Sequence, residues 1–181
     1  MARMMAHTIS GRALAPFALA LAVGAAAWTA APAARAADEA LYSQKFLTLE
    51  AATELAQAAL KACRTKGYQV AVTVVDRGGL VQITLRDRFA GLHTIETAYR
   101  KAWTALSFRT NTTELSKLAE KGEMWAIRGI PQALPLGGGV IIREGGGSLI
   151  GAVGVSGAPG PSIDEECGKA GIAAIEDKIS F

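Results

Sequence analysis

The sequence predicts an α+β domain with one antiparallel sheet built from two β-hairpins, its elements in the order α-β-β-α-α-β-β-α. Three observations carry this expectation. After a helical stripe ending near Lys66, the apolar spacing switches from a period of 3.6 to a period of two. Two glycine-rich turns, Asp76-Arg77-Gly78-Gly79 and Gly145-Gly146-Gly147, each join a pair of such runs. Helices lie before, between and after the hairpins, which places them over a face of the sheet.

Taken in order, Thr48 can cap a helix to about Lys66. Its stripe is Leu49, Ala52, Leu55, Ala56, Ala59, Leu60 and Cys63, and Gly67 stands just past its end. Strands follow at residues 70–76 and 80–86. A helix is expected from about His93 to Phe108 and another from a capping box at Asn111-Thr-Thr-Glu114 to about Lys121. Residues 129–139, with Pro131, Pro135 and three consecutive glycines, read as loop. Strands at 140–143 and 149–156 form the second hairpin. Ser162-Ile-Asp-Glu165 reads as a second capping box, opening a last helix to about Lys178.

Half of the 181 residues are apolar, enough to close a core and to exclude a disordered chain. The first 36 residues read as a secretory signal and residues 37–181 as a single domain. Arg3, His7 and Arg12 make a basic start, Ala13 to Ala34 carry no charge, and Ala34-Arg35-Ala36 fits a small-x-small cleavage site. A membrane span is the rival, but 12 of those 22 uncharged residues are Ala, Pro16 and Pro32 bracket the run, and a cleavage site follows. Cleavage after Ala36 leaves no stable anchor and a periplasmic or secreted chain. It also takes the 19 basic residues to 16, equal to the 16 acidic ones, so net charge supports no nucleic-acid partner. Export places Cys63 and Cys167 in an oxidising compartment. Both lie on apolar helix stripes that can run side by side, so the expectation is a Cys63–Cys167 disulfide, with two buried thiols as the alternative.

Inventory limits the chemistry. His7 leaves with the signal, so His93 is the one histidine of the mature chain, and a multi-histidine zinc site or a pair of catalytic histidines within one chain is excluded. Two distant cysteines fit no zinc or iron-sulfur spacing. Gly151-Ala-Val-Gly154-Val-Ser-Gly157 lacks the dinucleotide spacing and reads as close packing and a turn. On the helix expected from His93 to Phe108, counted at 100° per residue, Leu92, Ile95, Ala98, Tyr99, Ala102, Trp103 and Leu106 gather toward the core. Opposite them lie His93, Thr97, Arg100 and Thr104, flanked by Glu96 and Lys101. Two readings of His93 stand: a solvated histidine near a helix start, or a ligand to a metal or cofactor whose carboxylate pairs with Arg100. Arg86, Arg88 and Arg109 add positive charge at the ends of this helix. Met124 and Trp125 read as core or lid, Met124 also as a minor axial-ligand candidate.

The runs VAVTVVDRGG (70–79), RDRFAG, YRKAWTALSFRT, LPLGGGVII and GAVGVSGAPGPSIDEECGKAGIAAI resemble the GlcG/HbpS family of haem-binding proteins, over residues 47 to 177 and in family order. The resemblance implies a small α+β domain that assembles into a homo-oligomer and, in exported members, binds haem for sensing or degradation. Position by position, Asp76 and Gly79 match the first hairpin, Lys101 and Ala102 the KA helix, Gly137 to Gly139 the glycine loop, and Gly154, Ser156 and Gly157 the GVSG turn. Where many members follow GG closely with proline, this chain has Gly-Gly-Val-Ile-Ile.

The resulting expectation is an exported haem-binding protein that stores, senses or transfers the cofactor. His93 is the metal ligand, because the mature chain offers that imidazole beside only Tyr, Met and Cys donors, and Arg100 and Thr97 lie on the same face. A haem-degrading or small-metabolite enzyme and a cofactor-free oligomeric module are the alternatives. The enzyme ranks lower, since no general base is paired with a nucleophile.

Overall fold

A computed structural model describes residues 41–181 of the chain, and Ser43–Phe181 form one compact unit. The expected signal peptide and its cleavage site lie outside the described residues. Helix α1 (Leu49–Thr65) begins where the Thr48 hydroxyl accepts the Ala51 amide at 3.2 Å. It ends before Gly67, whose φ of +84° suits a residue without a Cβ. Strands β1 (Ala71–Asp76), β2 (Val81–Arg86), β3 (Gly139–Arg143) and β4 (Leu149–Ser156) make a fully antiparallel sheet in the order β2-β1-β4-β3. The predicted hairpins are its two halves, joined through β1 and β4. In the first turn the Asp76 carboxylate accepts the amides of Gly78 (2.8 Å) and Leu80 (3.0 Å).

Alternation along the strands separates two cores. Val72, Val74, Val140, Ile142, Val153 and Val155 face α1 and α4 (Pro161–Ala173), whereas Val75 and Ala152 face α2 (Thr94–Phe108). Helices therefore cover both faces of the sheet, where the sequence suggested one. Helix α3 (Thr112–Leu118) and a 3-10 segment at Glu123–Gly129 complete the α2 side, and α5 (Glu176–Ile179) follows α4. Cys63 and Cys167, both fully buried, form a disulfide between α1 and α4 with Cα atoms 5.5 Å apart.

Several local expectations are corrected. The last helix does not run unbroken to Lys178 but ends at Ala173, with α5 as a separate turn. Ser162 is not its cap: Gly160 precedes the helix and Pro161 occupies the first turn, where its missing N-H costs no bond. Asn111 does precede α3, but its side chain accepts the Ile141 amide at 3.1 Å and so ties α3 to β3 rather than capping. Met124 and Trp125 are 40% and 62% exposed, which removes them from the core.

Helix α2 differs most from the sequence expectation. Its buried residues are Thr94, Ala98, Lys101, Ala102, Thr104, Ala105 and Leu106, while Leu92 and Ile95 are 95% and 45% exposed. Leu92 precedes the first helical residue, so helical counting does not apply to it. The sheet also meets α2 through glycines: a Cβ on Gly154 would lie 1.9 Å from the Ala98 carbonyl oxygen, and one on Gly139 2.2 Å from that of Lys101. Backbones approach closely there, so small side chains and not large ones form the contact.

Candidate functional site

The loop from β2 to α2 is fixed from beneath and open above. The buried Asp87 carboxylate accepts the Val70 amide at 3.2 Å and the Arg64 Nε at 2.7 Å. Two successive turns follow, Ala90 N-H to Asp87 O and Thr94 N-H to Gly91 O, both 3.1 Å. The Phe89 amide donates to Gln69 Oε1 at 2.9 Å, and Arg86 Nη1 to the Ala90 carbonyl at 3.1 Å. With its backbone held this way, the loop presents side chains outward. Phe89 is 77% exposed, and Leu92, Ile95, Arg88 and His93 are exposed beside it in sequence. Three large exposed apolar side chains thus fall within seven residues of chain, which makes this loop a candidate binding face.

His93 stands at the start of α2. Its imidazole lies over Gly91, where an added Cβ would come 2.8 Å from Cε1 and 3.0 Å from Nδ1. Glycine thus leaves room for the ring to fold back on the loop. The His93 carbonyl accepts the Thr97 amide at 3.0 Å and the Thr97 hydroxyl at 2.9 Å. The structure therefore joins His93 and Thr97 directly, one turn apart.

Arg100 lies about 10 Å further along the helix axis. Its guanidinium donates to three successive carbonyls, Pro131 (3.3 Å), Gln132 (3.4 Å) and Ala133 (3.2 Å), and Nη1 is 3.9 Å from Glu96. Thr104, expected on an open face, is buried. Its hydroxyl donates to the Arg100 carbonyl at 2.6 Å and accepts the Leu134 amide at 2.8 Å. Residues 131–134 are thereby docked over the C-terminal half of the ridge, leaving the His93–Thr97 half open.

Lys101, expected on the flank of the open face, is buried as well. Its ammonium, on a side chain 2% exposed, donates to Asp164 Oδ2 at 2.8 Å and to the Val155 carbonyl at 3.0 Å, and Asp164 Oδ1 accepts the Ala158 amide at 3.0 Å. Burial pushes the Asp164 carboxyl up and the Lys101 ammonium down, and their mutual attraction opposes both shifts. A Cβ on Gly138, whose φ is +116°, would lie 2.9 Å from the Lys101 Nζ, so the glycine loop closes over the pair. Helical spacing placed Lys101 beside Arg100; its partner lies 63 residues away in sequence, where spacing carries no signal.

Among the described residues no group of three or more His, Cys, Asp or Glu could hold a metal ion. A metal at His93 would draw its other donors from a prosthetic group. A cavity of about 570 Å³ lies elsewhere, lined by Phe46, Leu47, Ala51, Ile150, Ile179 and Phe181 among others, with no His, Cys, Met or Tyr in its wall. It provides none of the protein donors that hold haem iron.

A three-layer α+β domain that presents an exposed imidazole, flanking apolar side chains and arginines at the head of one helix is of the ligand-binding class. The chain belongs to the HbpS-like family, described as haem degrading proteins, whose family model matches residues 47–173. The structure of a doubly substituted variant of HbpS from Streptomyces reticuli shares 40% identity with a TM-score of 0.71, covering 81% of this chain and 97% of that one. The structure of a PduOC:haem complex shares 30% identity with a TM-score of 0.66, covering 72% and 96%. The corrinoid adenosyltransferase PduO of Salmonella typhimurium is 34% identical over 129 residues, 67% of this chain but 37% of that protein. The chain thus spans about two fifths of the length of such relatives. Among the described residues no helix is long and apolar enough to cross a membrane.

Proposed function

We propose that this chain is an exported haem-binding protein that stores, senses or hands on the cofactor, with His93 as axial ligand. The observation that carries the reading is the exposed His93 imidazole, which no hydrogen bond engages among the described residues, at the head of α2 beside exposed Phe89, Leu92 and Ile95. A planar amphiphile with one metal coordination position to fill suits that set: a single strong donor, flat apolar cover, and arginines within reach for carboxylates. Thr97 and Arg100 border the site, Thr97 through His93 and Arg100 by holding the 131–133 edge. Bound haem supplies a redox-active iron; the chain binds, orients and shields it. The description of a relative's structure as a haem complex supports this ligand.

A homo-oligomer is part of the proposal, since a second copy of the chain would cover the apolar side chains that one copy leaves in water. Export rests on the signal read at residues 1–36, and intact-mass analysis of periplasmic or supernatant protein tests it: a chain starting at Ala37 is expected. The family's description favours a second reading, in which bound haem is broken down. Loss of the Soret band under peroxide or a reductant, with haem breakdown products, would bring that reading forward. Hemin titration of the purified chain, followed at the Soret band, tests the proposal itself.

A further inference from the structure

The arginines around the proposed site are not equivalent. Arg86 spends Nη1 on the Ala90 carbonyl inside the loop. Arg109 sits past the opposite end of α2, roughly 22 Å from its start at 1.5 Å per residue. Arg100, with the spacing expected of a carboxylate partner, holds three loop carbonyls and faces Glu96. Arg88 differs from all three. It is exposed, no hydrogen bond or ion pair engages its guanidinium among the described residues, and its Cζ lies 6.0 Å from the centroid of the Phe89 ring.

We propose that Arg88 recognises the carboxylates of a planar tetrapyrrole bound at His93, and that Arg100 is a positioning residue for the 131–133 segment. The inference rests on the haem reading above. Four residues lie between Arg88 and His93, so the chain between them spans at most about 18 Å, and the two turns of the loop shorten that path. The Asp87 and Gln69 contacts hold the loop's backbone, so Arg88 and Phe89 need little ordering on binding. Phe89 offers a flat apolar face for the macrocycle, and the guanidinium beside it offers a fork that matches a carboxylate.

Hemin and its dimethyl ester, whose carboxylates are neutralised, separate the roles. Arg88→Ala is expected to raise the Kd for hemin about fivefold, the upper range for an exposed ion pair, with no change for the diester or in the Soret maximum. Arg88→Lys falls between, keeping charge but losing the fork. Arg100→Ala is expected to weaken both ligands equally, since it loosens a loop rather than a charge contact. Raising salt should weaken hemin binding by the wild type and not by Arg88→Ala. Equal hemin affinity for Arg88→Ala and wild type, or an equal loss for hemin and diester in Arg88→Ala, would overturn the assignment while the haem reading stands. Failure of the wild-type chain to bind either ligand would overturn both.

Discussion

The Lys101 ammonium and the Asp164 carboxylate meet at 2.8 Å with side chains only 2% and 4% exposed, at the junction of α2, α4 and the glycine loop. Every oxygen of the carboxylate has a donor, and the ammonium has a second acceptor in Val155. The pair therefore pins α2, and with it His93, to the sheet.

Replacing one partner strands the other charge. Lys101→Met is expected to destabilise the chain by about 3–5 kcal/mol, whereas Lys101→Met with Asp164→Leu falls close to wild type or above it. The directions of the shifts agree. An Asp164 raised by burial contributes stability at low pH that is lost as pH rises through its folded value. A Lys101 lowered by burial contributes stability at high pH that is lost as pH falls through its folded value. Urea denaturation of both variants at neutral pH checks the ordering.

The Lys45 ammonium, 3.0 Å from Glu144 Oε2, and bonds from Ser148 and the Gly146 backbone hold the Glu144 carboxyl down at about 2, against 4.5 ordinarily. A depressed folded value means stability present above the ordinary glutamate range and lost as pH falls toward 2. Glu144→Gln is expected to flatten the fall of Tm over that window, and thermal melts at stepped pH measure it.

The Cys63–Cys167 bridge closes a loop with a sequence separation of 104. On the chain-entropy model it stabilises by about 4–5 kcal/mol. Thiol counting in denaturant without reductant should find none, and Cys63→Ala with Cys167→Ala should lower the midpoint of unfolding accordingly.

The first helix and the hairpins were legible because they are locally encoded, in the α1 stripe with its Thr48 cap and the period-two runs around Asp76-Arg77-Gly78-Gly79, whereas the end of the last helix at Ala173 and the side-chain partner of Asn111 were not. The disulfide could be read because both cysteines lie on helix stripes. The buried face of α2 was not legible. Ala98, Ala102 and Ala105 carry little apolar signal, and their burial depends on Gly139 and Gly154 in distant strands. Lys101 reads as a surface charge until Asp164 is placed beside it. His93 and Thr97 fell on the open ridge as their spacing implies, whereas the engagement of Arg100 with residues 131–133 is a tertiary contact that helical spacing does not carry.

The most direct test is a hemin titration of the wild-type chain beside His93→Ala, read at the Soret band. Because His93 is exposed and its imidazole makes no hydrogen bond among the described residues, the variant should fold as the wild type does. Saturable binding is expected for the wild type and, for His93→Ala, a shifted Soret maximum with about tenfold or weaker affinity, a loss of roughly 1.4 kcal/mol or more. An unchanged spectrum and affinity in His93→Ala would contradict it, and would direct the search for the ligand to Tyr99, Tyr68 or Met124.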